Sequence, residues 1–225
     1  MANSALIIKI AFFEAHFKVH HTKKFRLSYP IPLPTSVAGL FGSMLGIDRN
    51  EIVSRFKNYK FGAAAVTEHN ESVEQATFIQ QGKGVRGVAD MHLLVNPTLY
   101  LAANNDNEQE INEIASRLER GIEHLPFGGQ NDFFPKDWQI VGSMPVEFST
   151  KVGNYLPSDF VNHVTEDVWM EILPVMHKLG KTQEFYFVTG GQLISNRNLP
   201  VCQVNGKNIA LYGLDNFYLV GDWSS

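Results

Sequence analysis

With 225 residues, 44% of them hydrophobic and 12% aromatic, the chain can bury one sizeable core and a smaller appendage, which excludes a disordered, collagen-like or low-complexity protein. The formal net charge of −4 conceals an asymmetry, because residues 1–62 carry nine Lys and Arg against three acids and residues 63–225 carry ten against twenty. A basic segment on an acidic protein supplies the local field that phosphate binding requires, although ordinary solvated lysines give the same composition.

Residues 5–19 are rich in β-branched and aromatic types and predict one long first strand. Its end is basic: His20, His21, Lys23, Lys24 and Arg26 precede Pro30, Pro32 and Pro34, whose alternate spacing forces an extended connection. Thr35 or Ser36 then offers an N-cap for a helix through Val37, Leu40, Phe41, Met44 and Leu45. Gly39, Gly42 and Gly46 fall on one face of that helix, which suits close packing or ligand approach. Asp48–Asn58 reads as a second amphipathic helix with Ile52, Val53 and Phe56 inward. Strands are expected at 61–68, 74–80 and 92–102. The clearest helix is Glu108–Glu123, where Ile111, Ile114, Ala115, Leu118 and Ile122 recur at helical spacing.

A further strand at 139–148 completes a βαββαβ order, so the fold class is α+β, a ferredoxin-like (RRM-like) domain over residues 1–149. Residues 150–225 read as a small β-rich C-terminal extension, with strands at 184–189, 201–204, 209–211 and 216–220 and a hairpin signal at Asn205-Gly206. No apolar run approaches the ~20 residues of a bilayer span. The one cysteine, Cys202, excludes a disulfide framework, and the start lacks a basic segment leading into a long apolar one. The expected setting is cytoplasmic, with no membrane partner.

Gly82-Lys83-Gly84-Val85-Arg86-Gly87 matches the dinucleotide fingerprint in letters, but the context is wrong: Val88–Val95 reads as strand where the motif needs a helix, and residues 100–112 supply no ribose-binding acid in a βαβ setting. It is a hairpin tip, either plain or carrying Lys83 and Arg86 to phosphates. Leu125-Pro126-Phe127-Gly128-Gly129-Gln130 follows the long helix; Gly128 and Gly129 could offer backbone N–H groups to RNA and Phe133 and Phe134 a stacking face, or the loop simply closes the helix and core. His20, His21, Lys23, Lys24 and Tyr29 form the one cluster with acid–base potential, and phosphate contact competes with catalysis as its role. Adjacent strand residues point to opposite faces, so His20 and His21 cannot both serve one site there. No metal-ligand spacing, cofactor motif or nucleophile elbow is present, and His69, His92, His124, His163 and His177 read as structural.

The block Phe25-Arg26-Leu27-Ser28-Tyr29-Pro30-Ile31-Pro32-Leu33-Pro34-Thr35-Ser36-Val37-Ala38-Gly39-Leu40-Phe41-Gly42-Ser43-Met44-Leu45-Gly46 resembles CRISPR-associated family five of the RAMP superfamily. Gly128-Gly129 after the second helix looks like the family's also. The resemblance implies a subunit of a type I Cascade surveillance complex that grips the 5′ handle of crRNA and caps the backbone filament. It implies as partners the backbone subunit, the large subunit and, through the complex, target DNA. A hairpin "thumb" is expected at 80–88. The RNA-binding set is then Lys18, His20, Lys23, Lys24, Arg26, Lys83, Arg86, Gly128 and Gly129, with no catalytic residue, metal or cofactor. Two alternatives stand beside it: a metal-independent endoribonuclease of the type I-C kind using His20, His21, Tyr29 and Lys23, and a scaffold without RNA contact.

Overall fold

The computed structural model describes residues 3–20, 22, 25–79, 86–165, 168–176 and 181–217. It is an α+β protein, mostly antiparallel sheet with few helices. Strand β1 (Ser4–Phe12) is followed by short strands β2 (Glu14–Ala15), β3 (Phe17–Lys18), β4 (Phe25–Arg26) and β5 (Ser28–Tyr29), then helices α1 (Pro34–Met44) and α2 (Ile52–Arg55). Next come β6 (Tyr59–Ala65), β7 (Asn70–Ile79), β8 (Arg86–Val95), β9 (Thr98–Asn105), helix α3 (Glu108–Glu119) and the 18-residue β10 (Pro135–Val152). The chain continues through β11 (Tyr155–Pro157), β12 (Val161–Val164), β13 (Met170–Met176), β14 (Thr182–Val188), β15 (Leu193–Val204), β16 (Lys207–Ala210) and β17 (Tyr212–Gly213).

The central sheet runs β12-β15-β10-β1-β9-β6-β17, with β16 paired to β15. Strands β1, β9 and β6 are buried on both faces, and their residues divide between the faces by parity. Leu6, Ile8, Ile10 and Phe12 of β1, with Phe61, Ala63, Leu99 and Leu101, meet Val37, Phe41 and Met44 of α1 and Ile111, Ile114 and Leu118 of α3. Their neighbours Ala5, Ile7, Ala64, Tyr100 and Ala102 face the other way, against Cys202, Val204, Ile209 and Leu211. The C-terminal hairpin thus covers the sheet face that the helices leave open. Gly62 permits the close approach, since a Cβ there would stand 2.3 Å from the Ala210 carbonyl oxygen. At the tip of that hairpin Asn205 and Gly206 take φ of 46° and 78°, the two positive angles of a type I′ turn.

Several expected elements differ. The first strand does not run to residue 19. It ends at Phe12, where both neighbours also end: β10 begins at Pro135, and the Phe12 N–H bonds the Pro97 carbonyl in the turn before β9. The same Asn96-Pro97 turn, with Asn96 at φ 54°, splits the expected strand 92–102 into β8 and β9. Pro34 starts α1 at its first position with Leu33 as the cap, and Thr35 and Ser36 lie inside the helix. The helical glycines do separate work: Gly42 abuts Ile52, Gly39 has open space, and Gly46 at φ +67° ends the helix. There the Ile47 N–H bonds Gly42 O and the Gly46 N–H bonds Ser43 O, a Schellman closure. The second helix shrinks to the single turn α2, and Val53 is exposed while Ile52 and Phe56 are buried.

α3 stops at Glu119, before Gly121 at φ +128°. β10, at 18 residues, extends past the expected 139–148 at both ends. A register shift opposite Ile7/Ile8, with Gly142 at φ +134°, marks a bulge; the pairing with β1 continues past it from Gly142 to Pro145, and from Val146 on the strand pairs with β15. Of the expected last strand at 216–220, Asn216 is the end of a 3₁₀ turn (Leu214–Asn216), and residues 218–220 lie outside the described residues. Among the described residues no helix is long and apolar enough to cross a membrane.

Candidate nucleic-acid interface

After Phe12 the chain leaves the central sheet and builds a second, smaller one at the foot of the β7–β8 hairpin. β8 pairs with β7 along its full length, from Asn70 opposite Val95 to Ile79 opposite Arg86. On the other edge of β8 lie β2, antiparallel at Val95 and Leu94, and β4, parallel at Asp90 and Met91. Two short strands thereby bring the basic segment onto a long hairpin. Lys18 is exposed, opposite Ser28 on β5. Buried Ser28 fastens this pair, its Oγ accepting the Phe17 N–H at 3.0 Å and donating to the Tyr29 carbonyl at 3.0 Å. Arg26 is half-buried against β8, and Arg86 is exposed farther along the hairpin. His20 is half-buried. His21, Lys23, Lys24 and Lys83, with most of the expected hairpin tip, lie outside the described residues.

At the centre of this foot is His16, a residue the sequence did not single out. It is fully buried, and its Nδ1–H donates to the His92 carbonyl at 2.9 Å, which leaves Nε2 without a hydrogen-bond partner. Burial is the largest influence and lowers its pKa; the positive charges of Arg26 and Lys18 lower it further, against the raising effect of the His92 bond. Burial thus favours the neutral ring, between the short strands that carry Lys18 and Arg26. Nothing in the sequence separates His16 from the rest of an apolar run except its place two residues before Lys18.

The Gly128-Gly129 loop braces the same strand from behind. His16 N–H bonds Gly128 O at 2.7 Å, while the Gly128 and Gly129 N–H groups donate to Phe133 O and Phe127 O at 2.8 and 2.7 Å. Those two donors are engaged within the loop and are not presented to a phosphate. Gly129, at φ +96°, lies so close to the strand that a Cβ would stand 2.0 Å from His16 O. Phe133 is buried with Met91 and Leu93, whereas Phe134 is 48% exposed, so the expected stacking pair is split.

Tyr29 faces inward. It is buried, stacked on Phe187 at 5.3 Å between ring centres, and its hydroxyl donates to the Pro174 carbonyl at 2.7 Å. Burial pushes the phenol further above its ordinary range, away from general acid–base use at neutral pH. Tyr29→Phe is expected to lower stability by about 1 kcal/mol, because the Pro174 carbonyl loses its donor. RNA retention should be unchanged; calorimetric melting and a filter-binding assay check both.

A separate cleft of ≈ 370 Å³ is lined by Glu71, His69, Trp169, Glu171 and Thr189, among others. Its carboxylates make it unsuited to phosphate. Burial, aided by the Glu71 charge, pushes the Glu171 carboxyl up to about 7. The folded protein thus holds this proton to higher pH than the unfolded chain does, so this group's contribution to stability falls as pH rises from 4.5 to about 7 and is flat above. Glu171→Gln should raise the melting temperature at pH 8 and leave it nearly unchanged at pH 4.5, read from paired thermal melts.

No family model and no curated protein matches the chain. Solved structures do. One chain of a CRISPR RNA-guided surveillance complex is similar at a TM-score of 0.52 and 14% identity, over 85% of this chain and 91% of that one. A crystal structure described as a Cas protein is similar at 0.44 and 13%, over 85% and 95%. A chain of the type III-B Cmr-beta complex, solved with cognate target RNA and AMPPnP, is similar at 0.43 and 10%, over 85% and 86%. The first likeness is one of fold; the other two are looser.

Proposed function

We propose that the chain is a CRISPR-Cas subunit that binds RNA through the foot of the β7–β8 hairpin. The observation that carries this reading is the placement of Lys18 and Arg26 around buried His16, with Arg86 on the same hairpin, in a chain whose remaining charge is acidic. Localised cations of this kind bind a phosphate backbone whatever the total charge. The shared fold with a chain of a surveillance complex supports the same reading. The finer proposal is the family-five role in a type I Cascade: a cytoplasmic subunit that holds the crRNA 5′ handle, contacts the backbone and large subunits and meets target DNA only through them. Lys23, Lys24, His20 and Lys83 extend the phosphate-binding set, and β7–β8 is the thumb.

The order β10-β1-β9-β6, antiparallel throughout with α1 and α3 packed on one face, supports a ferredoxin-like core over residues 1–149. Residues 150–225 then form the extension whose hairpin closes the other face. RNA is accordingly assigned to the hairpin foot and not to the flat of the sheet. The buried hydroxyl of Tyr29 supports binding over cleavage. The test is retention: the full chain co-expressed with a CRISPR array and purified at moderate salt should carry RNA, and protein free of RNA would overturn the reading.

A further inference from the structure

Where β1 and β10 both begin to part, two phenylalanine rings stand in solvent. Phe13 and Phe134 flank the Phe12–Pro135 pairing, 60% and 48% exposed, and are large apolar side chains without a core role. Phe134 meets half-buried Phe127 edge-on at 5.4 Å, which fixes its plane. Lys136, the extra residue of the bulge between Ala11–Asp137 and Phe12–Pro135, lies over the Phe13 ring at 5.0 Å. Its ammonium also donates to the Asn96 side chain, and the Asn96 N–H bonds the Phe13 carbonyl at 2.9 Å. Backbone bonds from His16 to Gly128 and from Gly128 to Phe133 run from the basic foot to the residue next to Phe134.

Exposed aromatics with an adjacent cation, continuous with a basic strand, are the elements of a single-stranded RNA platform, in which bases stack and phosphates pair. We infer that Phe13 and Phe134, with Lys136 beside them, form a shelf on which unpaired nucleobases of the bound RNA stack. The inference rests on the RNA-binding reading above and adds the part of the RNA that the cations cannot recognise. Sequence reasoning placed Phe13 inside a continuous strand, where an aromatic is ordinary; only the end of β1 at Phe12 exposes it.

The test uses the full chain and two ten-nucleotide single-stranded RNAs, one of mixed sequence and one abasic throughout, so that the phosphate charge is the same. The base-bearing RNA should bind more tightly, and Phe13→Ala and Phe134→Ala should each weaken it by about fivefold or more while leaving abasic binding unchanged. Circular dichroism and melting confirm the fold, and Phe13→Tyr, which keeps the ring, should restore binding. Equal affinity of the two RNAs for the wild-type chain overturns the shelf but leaves the phosphate reading standing. Binding of neither overturns both. Variants that keep RNA affinity yet lose a neighbouring subunit in co-purification overturn the shelf in favour of a protein interface.

Discussion

Replacing Lys18, Lys23 and Lys24 together by Glu is expected to abolish RNA retention at moderate salt and leave the melting transition in place. Lys18 is exposed and makes no packing contribution that a Glu side chain removes. Each single-strand phosphate contact contributes roughly 0.7 to the slope of log affinity against log salt, so three lost contacts should lower that slope by ~2. Reversal adds repulsion to loss, and the combined weakening should reach about two orders of magnitude or more. Fluorescence anisotropy at stepped salt concentrations reads both quantities. Unchanged affinity with an unchanged slope would place the RNA elsewhere on the molecule.

The second large effect is expected at Gly129. An alanine there must hold φ near +96° and move its Cβ off the His16 carbonyl, 2.0 Å away. Backbone strain of this kind costs about 1–3 kcal/mol before the displacement of the strand is counted. For a chain of this size each kcal/mol lowers the melting temperature by roughly 2–4 °C. Because the strand that moves carries Lys18, RNA affinity should fall with stability. Gly39→Ala is the contrasting change: a Cβ meets nothing within 4 Å, the residue lies inside α1, and a small stabilisation of about 0.5–1 kcal/mol is expected. Differential scanning calorimetry separates the two glycines, and equal effects would contradict the bracing role of the Gly128-Gly129 loop.

What the sequence revealed and what it hid follow from the range of the interactions involved. α3 was legible because its apolar spacing is a local property: Ile111, Ile114 and Leu118 point to one face whatever they meet. Asn205-Gly206 was legible because the turn chemistry lies in two residues. The end of β1 at Phe12 was not, since it is decided by where β9 and β10 begin, about ninety and one hundred and twenty residues away. The double burial of β6 and β9 was hidden too, because the hairpin that covers their second face is formed by β15 and β16. At the interface, the basic stretch was visible as composition. His16 and Phe13 were not, since in an apolar run nothing local distinguishes a buried ring or an exposed one. Tyr29 misled in the opposite sense, for a tyrosine beside histidines and lysines suggests chemistry until its hydroxyl is found on Pro174.

The most direct measurement is to sequence the 5′ ends of RNA that co-purifies with the tagged chain, expressed with its CRISPR array, once with the neighbouring subunits present and once without them. The account predicts RNA with one repeat-derived 5′ end when the neighbours are present and no defined end when they are absent. The same defined end from this chain alone would contradict it and make the protein the processing nuclease.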